Sequence, residues 1–100
     1  MKVVLTNQAK GRLESIVEYY QDLGYYRYGK RLRLSVLKKA LLLKDFPLMG
    51  QEEETLRVLG LQHRYLVEGH YKIVYRIEKG TIYITDVFDT RQDPDKMLDG

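Results

Sequence analysis

A change in hydrophobic periodicity divides this chain of 100 residues and limits what it can fold into. Up to about residue 45, the apolar residues recur every three or four positions, as on one side of a helix. From about residue 61 onward, apolar and polar residues alternate, as in half-buried strands. Because a chain this short has room for one hydrophobic core, we expect a single domain over residues 1–100.

The first half of the sequence predicts a strand followed by two helices. The strand is expected at residues 2–5, and the first helix over about residues 7–23. The second helix is expected over about residues 28–44, because Pro47 disfavours helical geometry in the residue before it. A link of about four residues between the helices favours an antiparallel helical hairpin.

The second half predicts three strands at residues 61–67, 71–77 and 81–88. Glycine-containing turns at 68–70 and 79–80 join them into an antiparallel meander. We therefore expect an α+β fold in which the N-terminal strand and the helical hairpin precede the meander. The helices are expected to pack on one face of the sheet and to leave the other face open.

Three basic residues of the predicted sheet are candidates for an anion-binding site. If the turn at 68–70 contains three residues, Arg64 shares the open face with Lys72 and Arg76. A two-residue turn would reverse that parity and direct Arg64 into the core, where an unpaired charge is costly, so we expect the longer turn. The three cations would then converge on a phosphate-binding patch, although simple strand alternation explains their pattern equally well.

Positive charge is concentrated in the first half of the chain. Residues 1–50 contain ten Lys and Arg against four Asp and Glu, whereas residues 51–100 contain seven against ten. Residues 27–39 include no acid, and such a cluster attracts RNA, DNA or an acidic protein segment. The neighbouring run Tyr25-Tyr26-Arg27-Tyr28 suits contact with nucleic acid or protein. The cations of the cluster are Arg27, Lys30, Arg31, Arg33, Lys38 and Lys39.

Several classes of protein and site are excluded. The chain has no cysteine, so it has neither disulfides nor a thiolate zinc site. His63 and His70, the two histidines, have no partner at metal-ligand spacing, so no metal and no cofactor are expected. No phosphate-binding glycine loop or nucleophile motif is present. The longest apolar run, residues 40–43, is too short to span a bilayer, so we expect a cytoplasmic protein without a membrane partner.

The order of motifs over residues 64–77 resembles the hallmark of the RelE/ParE toxin superfamily. An Arg-bearing strand and a glycine turn precede Tyr71-Lys72-Ile73-Val74-Tyr75-Arg76, and the last strand ends near Arg91-Gln92-Asp93. The N-terminal strand, the helical hairpin and the connector of residues 46–55 that follows it also fit the superfamily in order and length. The resemblance implies the growth-inhibiting toxin of a type II toxin–antitoxin system, of the kind that serves plasmid stabilisation.

The resemblance leaves two cellular targets open. RelE-like members bind the ribosome and cleave mRNA without a metal; there, Arg64, Arg76 and Arg91 would be catalytic, and with Lys72 they would bind RNA. ParE-like members are not enzymes and inhibit DNA gyrase, which the same four cations would contact. Ribonuclease members often carry His or Tyr after the last strand, but this chain has neither there. That difference favours gyrase, although Tyr71 and Tyr83 remain candidate proton carriers.

The resemblance also implies a protein partner. A disordered segment of a cognate antitoxin is expected to fold across the helical hairpin and to extend a strand edge, forming a hetero-oligomer. A third alternative is a non-toxic module that binds nucleic acid or protein. The candidate antitoxin-binding residues are Tyr26, Arg27, Tyr28, Arg31 and Lys38.

Overall fold

The computed structural model describes residues 1–99, and its elements follow the predicted order. The second helix begins two residues earlier than predicted, and its expected last turn, Leu42–Lys44, is a 3₁₀ turn. No helix within residues 1–99 is long and apolar enough to cross a membrane. The elements are β1 (Lys2–Leu5), α1 (Asn7–Asp22), α2 (Tyr26–Leu41), β2 (Gln51–Glu52), β3 (Arg64–Glu68), β4 (Tyr71–Glu78) and β5 (Thr81–Asp89).

The strands form one five-stranded sheet in the order β1-β5-β4-β3-β2. The predicted antiparallel meander of β3, β4 and β5 is confirmed, and β1 extends it by pairing parallel to β5. Strand β2 was not predicted, because two residues are too few to show alternation. This strand pairs Gln51 with Tyr65 and Glu52 with Arg64, so the connector after α2 becomes part of the sheet.

The helical hairpin depends on local signals at its ends and on one close contact. Thr6 caps α1 by accepting a hydrogen bond from the N–H of Ala9, and Gly24 follows the helix with a φ of +85°. Within α2, a Cβ at Gly29 would lie 3.2 Å from the Cβ of Tyr20 and 3.3 Å from the backbone of Val17. Glycine at this position therefore lets the two helices pack closely.

The main hydrophobic core fills the space between the hairpin and one face of the sheet, as predicted. Helix residues such as Leu13 and Val36 contact strand residues such as Ile73 and Ile84, all of them buried. The full set of buried residues in this core is Ala9, Leu13, Val36, Ala40, Leu43, Leu66, Tyr71, Ile73, Tyr75, Ile82, Ile84 and Val87.

The expectation that the other face of the sheet is open is wrong. Two segments without a strand or α-helix signal, the 3₁₀ turns Glu54–Leu59 and Pro94–Asp99, fold over it. They bring Leu56 and Met97 against Val74 and Phe88 of the sheet, forming a second buried cluster. No sequence pattern indicated this covering, because each turn contributes a single buried apolar residue, which is too few to form a periodic pattern.

The turn between β3 and β4 is shorter than predicted. Glu68 pairs directly with Tyr71, so only Gly69 and His70 lie between the strands, and Gly69 has a φ of +59°. Because successive side chains of a strand alternate between faces, removing one residue from the turn moves every β3 side chain to the opposite face. Arg64 consequently faces the helices, opposite Tyr75.

The connector after α2 is held by the side chain of Tyr75. This residue is fully buried, and its hydroxyl accepts a hydrogen bond from the N–H of Gly50 at 3.0 Å and donates one to the carbonyl of Pro47 at 2.8 Å. A Cβ at Gly50 would lie 2.6 Å from the Tyr75 ring and hydroxyl, and 2.9 Å from the carbonyl of Tyr65. The ring and the connector therefore fit only with glycine at position 50.

Gly50→Ala is expected to lower the free energy of unfolding by about 2 kcal/mol, because the added methyl group overpacks a site that cannot move away. Gly11→Ala is the matched control, since a Cβ there meets nothing within 4 Å. It should raise stability by about 0.5–1 kcal/mol through helix propensity. Urea denaturation of both variants checks this, and a Gly50→Ala protein as stable as the wild type would contradict the packing argument.

Candidate functional site

Arg64 is bound to the connector rather than presented to solvent. Its guanidinium donates to the carbonyl of Gly50 at 2.8 Å and to that of Leu48 at 3.3 Å, and the residue is half-buried. It lines a cleft of about 370 Å³ together with His63 and Glu52. The cost of placing the charge on the helix-facing side is offset by these carbonyl oxygens, a contact that no local sequence pattern indicates.

Lys72 lies on the opposite face of the sheet and forms an ion pair in a mostly buried setting. Its ammonium group is 2.7 Å from a carboxylate oxygen of Glu53 and 4.3 Å from the centre of the Tyr65 ring. Glu53 is only 2% exposed, and its other oxygen accepts a hydrogen bond from the N–H of Thr55. Its neighbours Glu52 and Glu54 are exposed. This difference is not visible in the run Glu52-Glu53-Glu54 itself, because the strand register selects which acid meets Lys72.

Arg76 shares the face of Lys72 and forms an ion pair with Glu78 on the same strand. Its guanidinium also lies 5.2 Å from the centre of the Tyr83 ring. Burial, and secondarily the charge of Arg76, lowers the pKa of His63. Burial thus favours the neutral imidazole. His63 is 6% exposed, and it lines the same cleft as Arg64.

Arg91 is at the end of β5 and forms a two-point ion pair with Asp89. The distances from its guanidinium to the carboxylate oxygens are 2.8 and 3.0 Å, and this contact lowers the pKa of Asp89. The two residues line a cleft of about 340 Å³ beside α1, which also includes Tyr71. Burial, followed by interaction with Tyr20, raises the pKa of Tyr71, so its phenol stays protonated and is a poor general base.

The expectation that Arg64, Lys72 and Arg76 converge on one face is therefore wrong. The two-residue turn places Arg64 on the helix-facing side, and Lys72 and Arg76 remain on the other side. Each of these cations, and Arg91 as well, already has an acidic or carbonyl partner within the chain. Their role in binding a target remains a prediction.

The outer surface of α2 differs from the sheet, because its cations have no acidic partner within the described residues. The predicted antitoxin-binding residues are all exposed, and within residues 1–99 the cations among them form no ion pair. Leu34 and Leu41 are 54% and 59% exposed on the same helix. The exposed residues predicted for this contact are Tyr26, Arg27, Tyr28, Arg31 and Lys38.

Not all of the basic cluster of residues 27–39 is free. Arg33 is 3.0 Å from Glu14 of α1, and Lys39 is 3.8 Å from Glu68 of β3. These two side chains connect α2 to its neighbours within the fold. The free charge is therefore confined to the side of α2 that faces away from α1 and the sheet.

Comparison with known proteins places these observations in a family. The family model described as "ParE toxin of type II toxin-antitoxin system, parDE" matches residues 3–94. Eight solved chains match the fold, among them one from the chromosomal ParDE TA system of P. aeruginosa. That structure has a TM-score of 0.75 and 18% sequence identity, and the match covers 89% of this chain and 95% of the other. No curated protein sequence matches the chain.

Lys72→Met is expected to lower the free energy of unfolding by about 3 kcal/mol, because it leaves the buried carboxylate of Glu53 without its counter-charge. The double variant Glu53→Gln/Lys72→Met should recover most of that loss, since no charge then remains buried. Arg57→Ala is the matched control, because it removes an exposed ion pair with Glu52 and should change stability little. Chemical denaturation of all variants measures the effect; equal losses for Lys72→Met and Arg57→Ala would contradict it.

Proposed function

The chain belongs to the ParE toxin family and is the toxin of a type II toxin–antitoxin system, with a cognate antitoxin as its partner; on that premise we propose that it inhibits DNA gyrase. We further propose that the antitoxin binds the outer surface of α2. The first proposal concerns the target and the second concerns neutralisation, and each rests on a different part of the molecule.

The proposal of gyrase over mRNA as the target rests on the positions and bonding partners of the sheet cations. A ribonuclease that works without a metal needs cations free to hold the scissile phosphate and a proton carrier beside the 2′-hydroxyl. Arg64 is on one face of the sheet, Lys72 and Arg76 are on the other, and all three have partners within the chain. Residues 90–99, which follow β5, include neither His nor Tyr. A protein that acts by contact alone needs none of these groups.

One observation supports the second candidate, a RelE-like mRNA endoribonuclease. The carboxylate of Glu53, the ammonium of Lys72 and the phenol ring of Tyr65 meet on one face of the sheet. A carboxylate beside a cation has the composition of an acid–base pair. Glu53, however, is almost completely buried and is already bound by Lys72 and by the N–H of Thr55, which favours a structural role.

The α2 surface supports the antitoxin proposal through charge and apolar exposure together. Between residues 23 and 44 the chain has seven cations and no acid. An acidic segment with apolar side chains would complement both the free cations and the exposed Leu34 and Leu41. Binding there would cover a surface that repels itself electrostatically in the free toxin.

The purified protein is expected to inhibit DNA supercoiling by gyrase at micromolar concentration. A supercoiling assay with relaxed plasmid measures this, and heat-denatured protein is the control for adventitious effects. Unaffected supercoiling would count against gyrase as the target. Primer extension on translated mRNA tests the alternative: new cleavage sites that disappear in Arg64→Ala/Arg76→Ala, but persist in Lys79→Ala/Lys96→Ala, would indicate the ribonuclease.

Reversing charge on α2 is expected to weaken antitoxin binding. The variant Arg27→Glu/Arg31→Glu/Lys38→Glu should lower the affinity for the cognate antitoxin at least about tenfold, because like charges then oppose each other across the interface. The control Lys2→Glu/Lys79→Glu/Lys96→Glu makes the same charge change at exposed positions outside α2. Isothermal titration calorimetry compares them, and equal losses in both variants would contradict the proposed surface.

A further inference from the structure

The tip of the helical hairpin exposes an unusual number of aromatic rings. Tyr19 is in the last turn of α1, Tyr25 is in the link, and Tyr26 and Tyr28 are in the first turn of α2; they are 56%, 63%, 46% and 46% exposed. Tyr20 packs edge-to-face against Tyr19 at 5.1 Å and against Tyr28 at 4.7 Å, so it supports two of these rings. Tyr19 and Tyr28 are thus joined through Tyr20, and exposed rings grouped within ten residues at one end of a helical hairpin are typical of a contact surface rather than of a folding core.

Free positive charge accompanies the rings. Arg27, Lys30 and Arg31 lie in the first two turns of α2, are exposed, and have no ion-pair partner in the part of the chain described by the structure. The ammonium of Lys30 is 5.1 Å from the centre of the Tyr26 ring, so ring and charge are presented together. We call the four exposed tyrosines and these three cations the hairpin tip.

The combination at the hairpin tip differs from the rest of α2. Toward its C-terminal end, the exposed apolar residues are the aliphatic Leu34 and Leu41, which suit the side chains of a peptide. Of the five large apolar side chains exposed between residues 19 and 28, four are tyrosines and one is Leu23, and the flat rings offer a stacking face to any nucleobase. Cations one to two turns away along the helix are placed to reach the phosphates that connect stacked bases.

We propose that the hairpin tip binds single-stranded nucleic acid without sequence preference. Bases stack on the exposed tyrosine rings, and Arg27, Lys30 and Arg31 neutralise the backbone. This activity is independent of gyrase inhibition. It rests on the proposed function in one respect: Tyr26, Arg27, Tyr28 and Arg31 are also the proposed antitoxin contacts, so the antitoxin would compete with nucleic acid.

Fluorescence anisotropy with labelled oligothymidylate and oligouridylate of about 20 nucleotides tests the proposal, since that length exceeds a single site. Both should bind, because stacking and phosphate contacts do not depend on the sugar. With three phosphates neutralised, the logarithm of the association constant should fall with the logarithm of salt concentration with a slope of about −2. Arg27→Ala/Arg31→Ala should reduce that slope to about −0.7.

Two further variants separate the contribution of the aromatic rings to binding from that of the charges. Tyr25→Ala/Tyr26→Ala should weaken binding about tenfold or more while leaving the salt slope unchanged. Tyr25→Phe/Tyr26→Phe should bind like the wild type, because stacking needs the ring and not the hydroxyl. Positions 25, 26, 27 and 31 are all exposed in the wild type, and circular dichroism with thermal melting verifies that each variant is folded.

The matched control Lys79→Ala/Lys96→Ala removes two exposed charges outside the hairpin and should change binding less than twofold. An equal loss in this control, or no loss in Tyr25→Ala/Tyr26→Ala, would overturn the proposal, because binding would then be non-specific attraction of a polyanion. Tighter binding of poly-glutamate than of either oligonucleotide would also overturn it and would indicate an acidic protein partner. The assay contains neither gyrase nor antitoxin, so its failure is distinct from failure of the proposed function.

Discussion

The two-residue turn between β3 and β4 is the constraint on which the arrangement of this sheet depends. It pairs Glu68 with Tyr71 and thereby decides which face every β3 side chain occupies. Arg64 falls beside Tyr75, and both residues then bind the backbone of the connector, where Gly50 is the shared contact. These two side chains hold residues 47–50 of the connector against the sheet, which explains why this part, although it precedes β2 and has no regular structure, has a defined path.

The opposite face of the sheet is closed by a second polar contact, the pair of Lys72 and Glu53. The carboxylate also caps the 3₁₀ turn Glu54–Leu59, whose Leu56 enters the second hydrophobic cluster. An ion pair this deeply placed contributes little net stability relative to an apolar pair, but losing one partner is costly. It therefore fixes where the turn docks. Substitutions of Lys72 accordingly report on folding before they report on any target.

Charge in this toxin is divided between two kinds of surface. Lys72, Arg76 and Arg91 form ion pairs within the chain. Arg27, Arg31 and Lys38 on the outer side of α2 form none within residues 1–99. Unpaired cations keep their long-range field for a partner. On the helical hairpin, apolar and aromatic side chains are exposed beside that unpaired charge, and the sheet supports the two helices from their other side.

The sequence by itself determined the α+β class, the helical hairpin and the meander, because periodicity and glycine turns are local signals that burial reinforces. It also identified the superfamily and the basic, tyrosine-rich hairpin. Only the tertiary structure decided the face of Arg64, the burial of Glu53 and the covering of the second face. A turn of two residues and a turn of three residues are similar in local energy, yet the choice between them decides which face every β3 side chain occupies. The acid that meets Lys72 depends on the same long-range register.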